Sequence, residues 1–237
     1  MGQVKIVTDS AADLPANVAE ELEISIVPLT VTVGDQAYLD SELSREDFWN
    51  FVHSGLHPQT SQPSVGLYQR IFQKLVEAGH EVICMTITGR HSGTYNSAWT
   101  AAQGFEGRVR VFDTLSLSLG QGRQAIHAAR LALQGANVER IWEALESVKR
   151  RTRVLIQLEG IEHIRRGGRA ASLMPIIERL VKVLSLRPIL NVVDGELKLL
   201  GVARSTAKGL RRIQAEFTAL GPLEFLGVMH IRCREVA

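Results

Sequence analysis

Val82-Ile83-Cys84-Met85-Thr86-Ile87, then Thr88-Gly89-Arg90-His91-Ser92-Gly93-Thr94-Tyr95-Asn96-Ser97, then Ala98-Trp99-Thr100-Ala101-Ala102, is the stretch on which the fold turns. The first six residues carry no charge and are mostly apolar, which predicts a buried strand of a parallel sheet. The last five predict a helix. Between them lie glycines and hydroxyls, so backbone N–H groups and side-chain O–H donors meet at a helix start. Such a place suits a carboxylate or a phosphate. An ordinary strand-to-helix turn with Ser92 or Thr94 as N-cap explains the same residues.

Upstream, Val4–Val7 predicts a short buried strand ending in Thr8-Asp9-Ser10. Asp13 or Ser10 is a candidate cap for a helix over 14–22, with Pro15 near its first turn. Ile24–Val33 is β-branched and alternating and predicts one strand, with Pro28 marking an edge or bulge. Gly34-Asp35 turns the chain toward Ala37-Tyr38-Leu39. Ser44-Arg45-Glu46-Asp47 is a capping-box variant opening a helix over Phe48–His53, stopped by Gly55. After the polar segment Gln59–Ser64, Leu67, Ile71 and Leu75 with Tyr68, Phe72 and Val76 form a helical apolar stripe, which Gly79 ends.

Downstream, Arg108–Phe112 predicts a strand with Asp113-Thr114 at its end. Helices follow over about 119–134 and over 138–150, the latter capped by Asn137. This alternation predicts a doubly wound, parallel-sheet α/β domain over residues 1–150. Residues 151–237 read as a smaller α+β domain. Its pieces are a strand over Arg153–Leu158, a helical piece over Ile161–Arg166 broken by Gly167-Gly168, and a helix over Leu173–Leu184 capped by Ser172. Then come Pro188–Val193 and Glu196–Val202 around Asp194-Gly195, a strong hairpin signal. A helix over Ser205–Leu220 and a last strand over Leu223–Ile231 complete it.

Of 237 residues, 45% are hydrophobic and 22% charged, the balance of an ordinary globular protein. No apolar run reaches the roughly 18 residues of a membrane span. The chain enters a strand at once with no signal-peptide core, so a cytoplasmic location is expected. Cys84 and Cys233 both lie in apolar runs and read as buried thiols rather than a disulfide or metal pair. Residues 1–118 hold 7 Lys+Arg against 14 Asp+Glu, and residues 119–237 hold 20 against 11, which favours an acidic ligand or partner for the second half.

No phosphate-binding Gly-Lys-Ser/Thr loop is present, and Gly120-Gln121-Gly122 lacks the third glycine of a dinucleotide fingerprint. Gly-x-Ser-x-Gly, metal-spaced histidines and paired carboxylates are missing as well, so no catalytic residue, metal or cofactor is expected. Asp9 and Asp113 sit at strand ends, where open α/β sheets take ligands, though capping explains them too. Gly167-Gly168-Arg169 with Arg165 and Arg166 is a candidate phosphate nest or docking patch, or simply a helix end stopped by glycine. Arg204, Lys208, Arg211 and Arg212 share one helical face. Nucleic acid is not the expected partner, because aromatic residues are not interleaved with these charges.

Several of these stretches together resemble the DegV family of fatty-acid-binding proteins. They are Val7-Thr8-Asp9-Ser10, Thr60-Ser61-Gln62-Pro63-Ser64, Ser92-Gly93-Thr94-Tyr95-Asn96-Ser97-Ala98 and Gly167-Gly168-Arg169, then Arg187-Pro188-Ile189-Leu190 with Asp194-Gly195, and Arg204-Ser205-Thr206. The resemblance implies two α/β domains with a long-chain fatty acid held in an apolar tunnel between them. It implies that Thr60, Ser61 and Ser92, with backbone at Gly93 and Thr94, grip the carboxylate. It further implies a separate fatty acid kinase that phosphorylates the presented acid to an acyl phosphate for phospholipid synthesis. Arg169 and Arg204 become candidate contacts to that partner or its phosphate, and a transient membrane-surface contact is expected.

Two departures accompany the match. The family usually continues past the strand matching Gly227-Val228-Met229-His230 with a glycine-rich segment whose histidine also contacts the carboxylate; this sequence ends at Ala237, and His230 stands elsewhere. Arg90 and His91 occupy the approach to the Ser-Gly-Thr motif, placing charge near the head group or out in solvent. A competing reading uses the same Ser/Gly loop and Arg169 as anion sites of an enzyme or binding protein for a small phosphorylated metabolite.

Overall fold

The computed structural model describes residues 2–159, 174, 175, 178 and 186–231. The chain divides between Thr152 and Arg153 into two compact units. In the first, the order is β1 (Val4–Asp9), a 3-10 turn (Ser10–Ala12), α1 (Ala16–Glu21), β2 (Ser25–Val27), β3 (Thr30–Val33), β4 (Gln36–Leu39), α2 (Arg45–His53) and β5 (Gln59–Ser61). Then come α3 (Val65–Glu77), β6 (Glu81–Thr86), α4 (Thr94–Ala102), β7 (Val109–Asp113), α5 (Ser118–Leu133) and α6 (Val138–Arg151).

Four of these strands form a parallel sheet in the order β2-β1-β6-β7. Side chains alternate across it as the period of a strand requires. Ile6, Ile83, Met85 and Phe112 face one layer, made by α1, α5 and α6. Val7, Val82, Cys84 and Val109 face the other, made by α3 and α4. The four alanines Ala125, Ala128, Ala129 and Ala132 let α5 lie close to the sheet. Gly122 serves the same approach, because a Cβ there would come within 2.5 Å of the Ala12 carbonyl oxygen. That contact accounts for Gly122, one of the two glycines that mimic part of a dinucleotide motif.

From β1 the chain crosses through α1 to β2 on one side, and it returns as β6 on the other. The direction of winding therefore reverses between β1 and β6, and ligands of open α/β sheets bind at the carboxyl ends beside such a point.

The expected single strand over Ile24–Val33 is two strands in two sheets. Pro28 has no N–H to give a ladder, and the next amide, Leu29, donates instead to Ser10 Oγ at 3.0 Å. Past this break, β3 pairs antiparallel with β4 across a hairpin at Gly34-Asp35, and with β5 on its other edge. Strand β5 falls within the segment read as merely polar. Neither Asp13 nor Ser10 caps α1, which follows Pro15; Asp9 caps the 3-10 turn by accepting from Ala11 N. Ser44 and Asn137 do cap α2 and α6 as expected, and Ser64 caps α3.

The second unit contains an antiparallel sheet, β10-β9-β8, of β8 (Leu155–Gln157), β9 (Arg187–Val193) and β10 (Glu196–Ala203), with α7 (Thr206–Ala219) behind it. Asp194 and Gly195 have φ of 52° and 81°, the left-handed pair of a tight hairpin turn. Leu190 is the buried centre of its core, with Ile156, Leu158, Leu197 and Leu199 around it. Leu223–Ile231, expected as a strand, forms no ladder among the described residues and is exposed throughout. An apolar run becomes a strand only where an edge takes up its backbone groups. The helical reading at Ile161–Arg166, and Cys233, lie outside the described residues; of Leu173–Leu184 only Met174, Pro175 and Glu178 are described, and they are helical.

Candidate functional site

Every buried polar side chain among the described residues lies at one end of the parallel sheet. Thr8 and Asp9 close β1, Thr86 and Thr88 close β6, and Thr114 and Ser116 follow β7. Thr94 opens α4, and Gln121 and Gln124 fill the first turns of α5. Burying a polar group costs about 1–3 kcal/mol unless it is paired, so such a concentration needs local pairing. Gln121 Nε2 donates to Thr8 Oγ1 at 3.0 Å, Thr114 Oγ1 donates to Thr86 O at 2.7 Å, and Gln124 Nε2 donates to Thr114 O at 3.2 Å.

The loop between β6 and α4 is fixed from three directions. Ile87 N donates to Asp9 Oδ2 at 2.8 Å, Thr88 N to Ser116 O at 2.9 Å, and Gly89 N to Asp113 Oδ2 at 3.1 Å. Both aspartates thus do more than cap their own turns. Burial pushes the Asp9 carboxyl up from its ordinary 3.8 to about 6, against the downward pull of hydrogen bonds from Ile87, Gln121 and Ala11. Arg90, exposed, donates its backbone N–H to Thr88 Oγ1 at 3.2 Å, and His91 is half-buried behind it.

The N-cap of α4 is Gly93, with no side-chain cap, so neither Ser92 nor Thr94 holds that position. Ser92 turns instead toward Thr94. Its Oγ lies 2.8 Å from Thr94 Oγ1 and accepts from Thr94 N at 3.3 Å. Thr94 is fully buried and Ser92 half-buried. The result is a hydroxyl at a helix start, whose donors and dipole favour negative charge.

Thr60 and Ser61 arrive on β5, opposite Val31 and Thr30 of β3. Both are exposed. The next residue, Gln62, lays its carboxamide on Gly93: a Cβ at Gly93 would sit 3.0 Å from Gln62 Cδ and Nε2. The Thr60-Ser61 and Ser92-Gly93-Thr94 motifs, some thirty positions apart in the sequence, are therefore neighbours. Arg169 lies outside the described residues. Arg204 belongs to the second unit, where it is exposed and its carbonyl accepts from Arg187 Nη1 at 3.4 Å. There Glu159 ties two motif pieces together, accepting from Arg187 Nε at 2.6 Å and Thr206 Oγ1 at 2.7 Å, and these bonds hold its carboxyl below the ordinary range.

Sequence reasoning missed the role of Gln62, although it lies inside a quoted motif. It also missed Ser10, which donates to Asp40 and accepts from Leu29 N. Cys84 is a buried free thiol whose pKa burial pushes well up, an inert state. Among the described residues no cluster of three His, Cys, Asp or Glu side chains is placed to hold a metal, and no helix is long and apolar enough to cross a membrane.

The geometry can be set beside known proteins. A family model described as "Uncharacterised protein, DegV family" matches residues 3–237. A DegV domain-containing protein of Halalkalibacterium halodurans is 36% identical over 221 residues, spanning 92% of this chain and 77% of the relative. A solved fatty-acid-binding DegV family protein from Thermus thermophilus superposes with a TM-score of 0.83 at 32% identity, over 92% of this chain and 78% of that one. The Streptococcus pneumoniae Fatty Acid Kinase (Fak) B3 protein, loaded with linoleic acid, gives a TM-score of 0.78 at 26% identity, over 93% and 79%. On sequence and fold together, the chain belongs to the DegV family.

Proposed function

We propose that the protein binds a long-chain fatty acid and offers its carboxylate to a separate fatty acid kinase in the cytoplasm. The observation that carries this reading is the meeting of the Thr60-Ser61 strand end with the Ser92-Gly93-Thr94 helix start, in a chain whose relatives include fatty-acid-loaded proteins. Thr60, Ser61 and Ser92 act as hydroxyl donors to the head group, with backbone at Gly93 and Thr94 in support. Hydrogen bonds to a charged acceptor contribute about 1.5–3 kcal/mol each. The acyl chain supplies the larger share, about 0.8 kcal/mol for every CH₂ taken out of water.

Neutral donors suit presentation better than arginine. A bidentate salt bridge would occupy both carboxylate oxygens, and one of them must attack ATP. Nothing in the protein need act as base or nucleophile, because an ionised carboxylate is already the nucleophile. Arg169 and Arg204 are assigned to the kinase or its phosphates, and a transient membrane-surface contact would supply the acid.

The test combines loaded protein, a fatty acid kinase and ATP, with acyl phosphate followed by mass spectrometry. Product that requires all three is the expected result. Product formed without the kinase would make this chain an enzyme and overturn the reading. A melting temperature raised by phosphorylated metabolites, and not by fatty acids, would favour a phosphate-ester site instead.

A further inference from the structure

We infer that the Gln62 carboxamide is a further head-group contact, donating an N–H from Nε2 to the bound carboxylate from the side opposite Ser92. This rests on the fatty-acid reading above and adds a residue that decides which head group is accepted.

Three observations carry it. First, the Gln62 amide lies over Gly93, between the two hydroxyl motifs. Second, Gly93 has φ of −74° and ψ of 0°, a conformation open to any residue, so its backbone does not call for glycine. What a side chain would cost there is space: its Cβ would stand 3.0–3.2 Å from the Gln62 Cδ, Nε2 and Oε1. The glycine therefore leaves the space that the amide occupies at the helix start.

Third, the Gln62 side chain is exposed and, among the described residues, makes no hydrogen bond, so its donors face outward toward solvent or a ligand. A primary amide has two N–H donors to give. Beside Gly93 at the start of α4 with those donors uncommitted, it adds a neutral donor for an anion to those of the helix start. The amide nitrogen and oxygen lie nearly equidistant from Gly93, so rotation of the group by half a turn keeps the same seat.

A neutral amide distinguishes a carboxylate from a hydroxyl. Charge assistance roughly doubles the strength of the bond to the first and not to the second. The experiment measures the affinity of the full chain for oleate and for oleyl alcohol, which share a hydrocarbon chain. Gln62→Leu, which keeps the bulk and removes the donors, is expected to weaken oleate about 10- to 100-fold and oleyl alcohol by no more than a few-fold. Gly93→Ala, which pushes the amide off its seat, is expected to reproduce that pattern.

Unchanged oleate affinity in Gln62→Leu, with wild type binding normally, overturns the inference and leaves the fatty-acid reading standing. Equal loss of acid and alcohol also overturns it, since Gln62 would then only pack the loop. Wild type that binds neither ligand removes the fatty-acid reading and this inference with it. If Gln62→Leu does not fold, Gln62→Asn, polar but one methylene shorter, answers the same question by the same two affinities.

Discussion

Ser92 donates its hydroxyl hydrogen outward only if Thr94 supplies the hydrogen of the 2.8 Å contact between them. Ser92 Oγ accepts from the Thr94 amide as well, so both of its lone-pair directions are then used and its own hydrogen is left for a ligand. Two substitutions follow from this. Ser92→Ala should lower fatty-acid affinity about 10- to 100-fold, the cost of one hydrogen bond to a charged acceptor, while the fold persists with about 1–3 kcal/mol less stability, because the buried Thr94 hydroxyl loses its partner. Thr94→Val, at a residue assigned only its backbone in the head-group site, should lower affinity in the same direction by releasing the Ser92 hydroxyl, and Thr94→Ser should restore it. Titration calorimetry against one fatty acid checks both; wild-type affinity in Thr94→Val would show that Ser92 needs no orienting partner.

Asp9 makes a prediction in pH. Its carboxyl is raised in the folded protein to about 6 from 3.8, so the fold binds a proton more tightly than the unfolded chain does between those values. The contribution to stability is greatest below pH 4 and is lost as pH rises through about 6. Asp9→Asn keeps an acceptor for Ile87 or Ala11 but does not titrate. The stability difference between wild type and Asp9→Asn, measured by urea unfolding, should move against wild type from pH 4.5 to pH 6.5 and then level off. Parallel curves would contradict the assignment. At this scale the sequence named Ser92 and Thr60 through resemblance, and it placed Asp9 and Asp113 at strand ends. It could not show Gln62 on Gly93, because a contact between residues 62 and 93 leaves no mark in periodicity or capping.

The elements were legible where local chemistry fixes them. Ser44 and Asn137 cap the helices their sequences announce, and Asp194-Gly195 turns the hairpin that its dipeptide predicts. The misses came where a neighbour decides. Pro28 splits one expected strand because Leu29 N finds Ser10 rather than a ladder. Gln59–Ser61 becomes a strand only because the β3 edge is there to receive it, and Leu223–Ile231 does not, for want of such an edge among the described residues. Gly122 offers a test of packing between elements. A Cβ 2.5 Å from the Ala12 carbonyl must push α5 off the turn after β1, so Gly122→Ala should destabilise by about 1–3 kcal/mol, the range for overpacking. Thermal unfolding at wild-type temperature in that variant would mean that the turn yields freely.

At the scale of the whole molecule, the parallel sheet of the first unit decides where the site lies. A parallel sheet covered on both faces buries its polar side chains at its carboxyl ends, and those side chains fix the loop that carries Ser92. The doubly wound architecture was legible from the alternation of elements, since each strand and helix follows its own period. The proposed ligand came only through family resemblance, because hydroxyls at a helix start suit a phosphate as well as a carboxylate. The deciding measurement is mass spectrometry of the organic extract of the purified full chain, beside its Ser92→Ala variant. The expected result is long-chain fatty acid at close to one molecule per protein in wild type and clearly less in the variant. A wild-type protein that carries no fatty acid and takes up none on addition would contradict the claim.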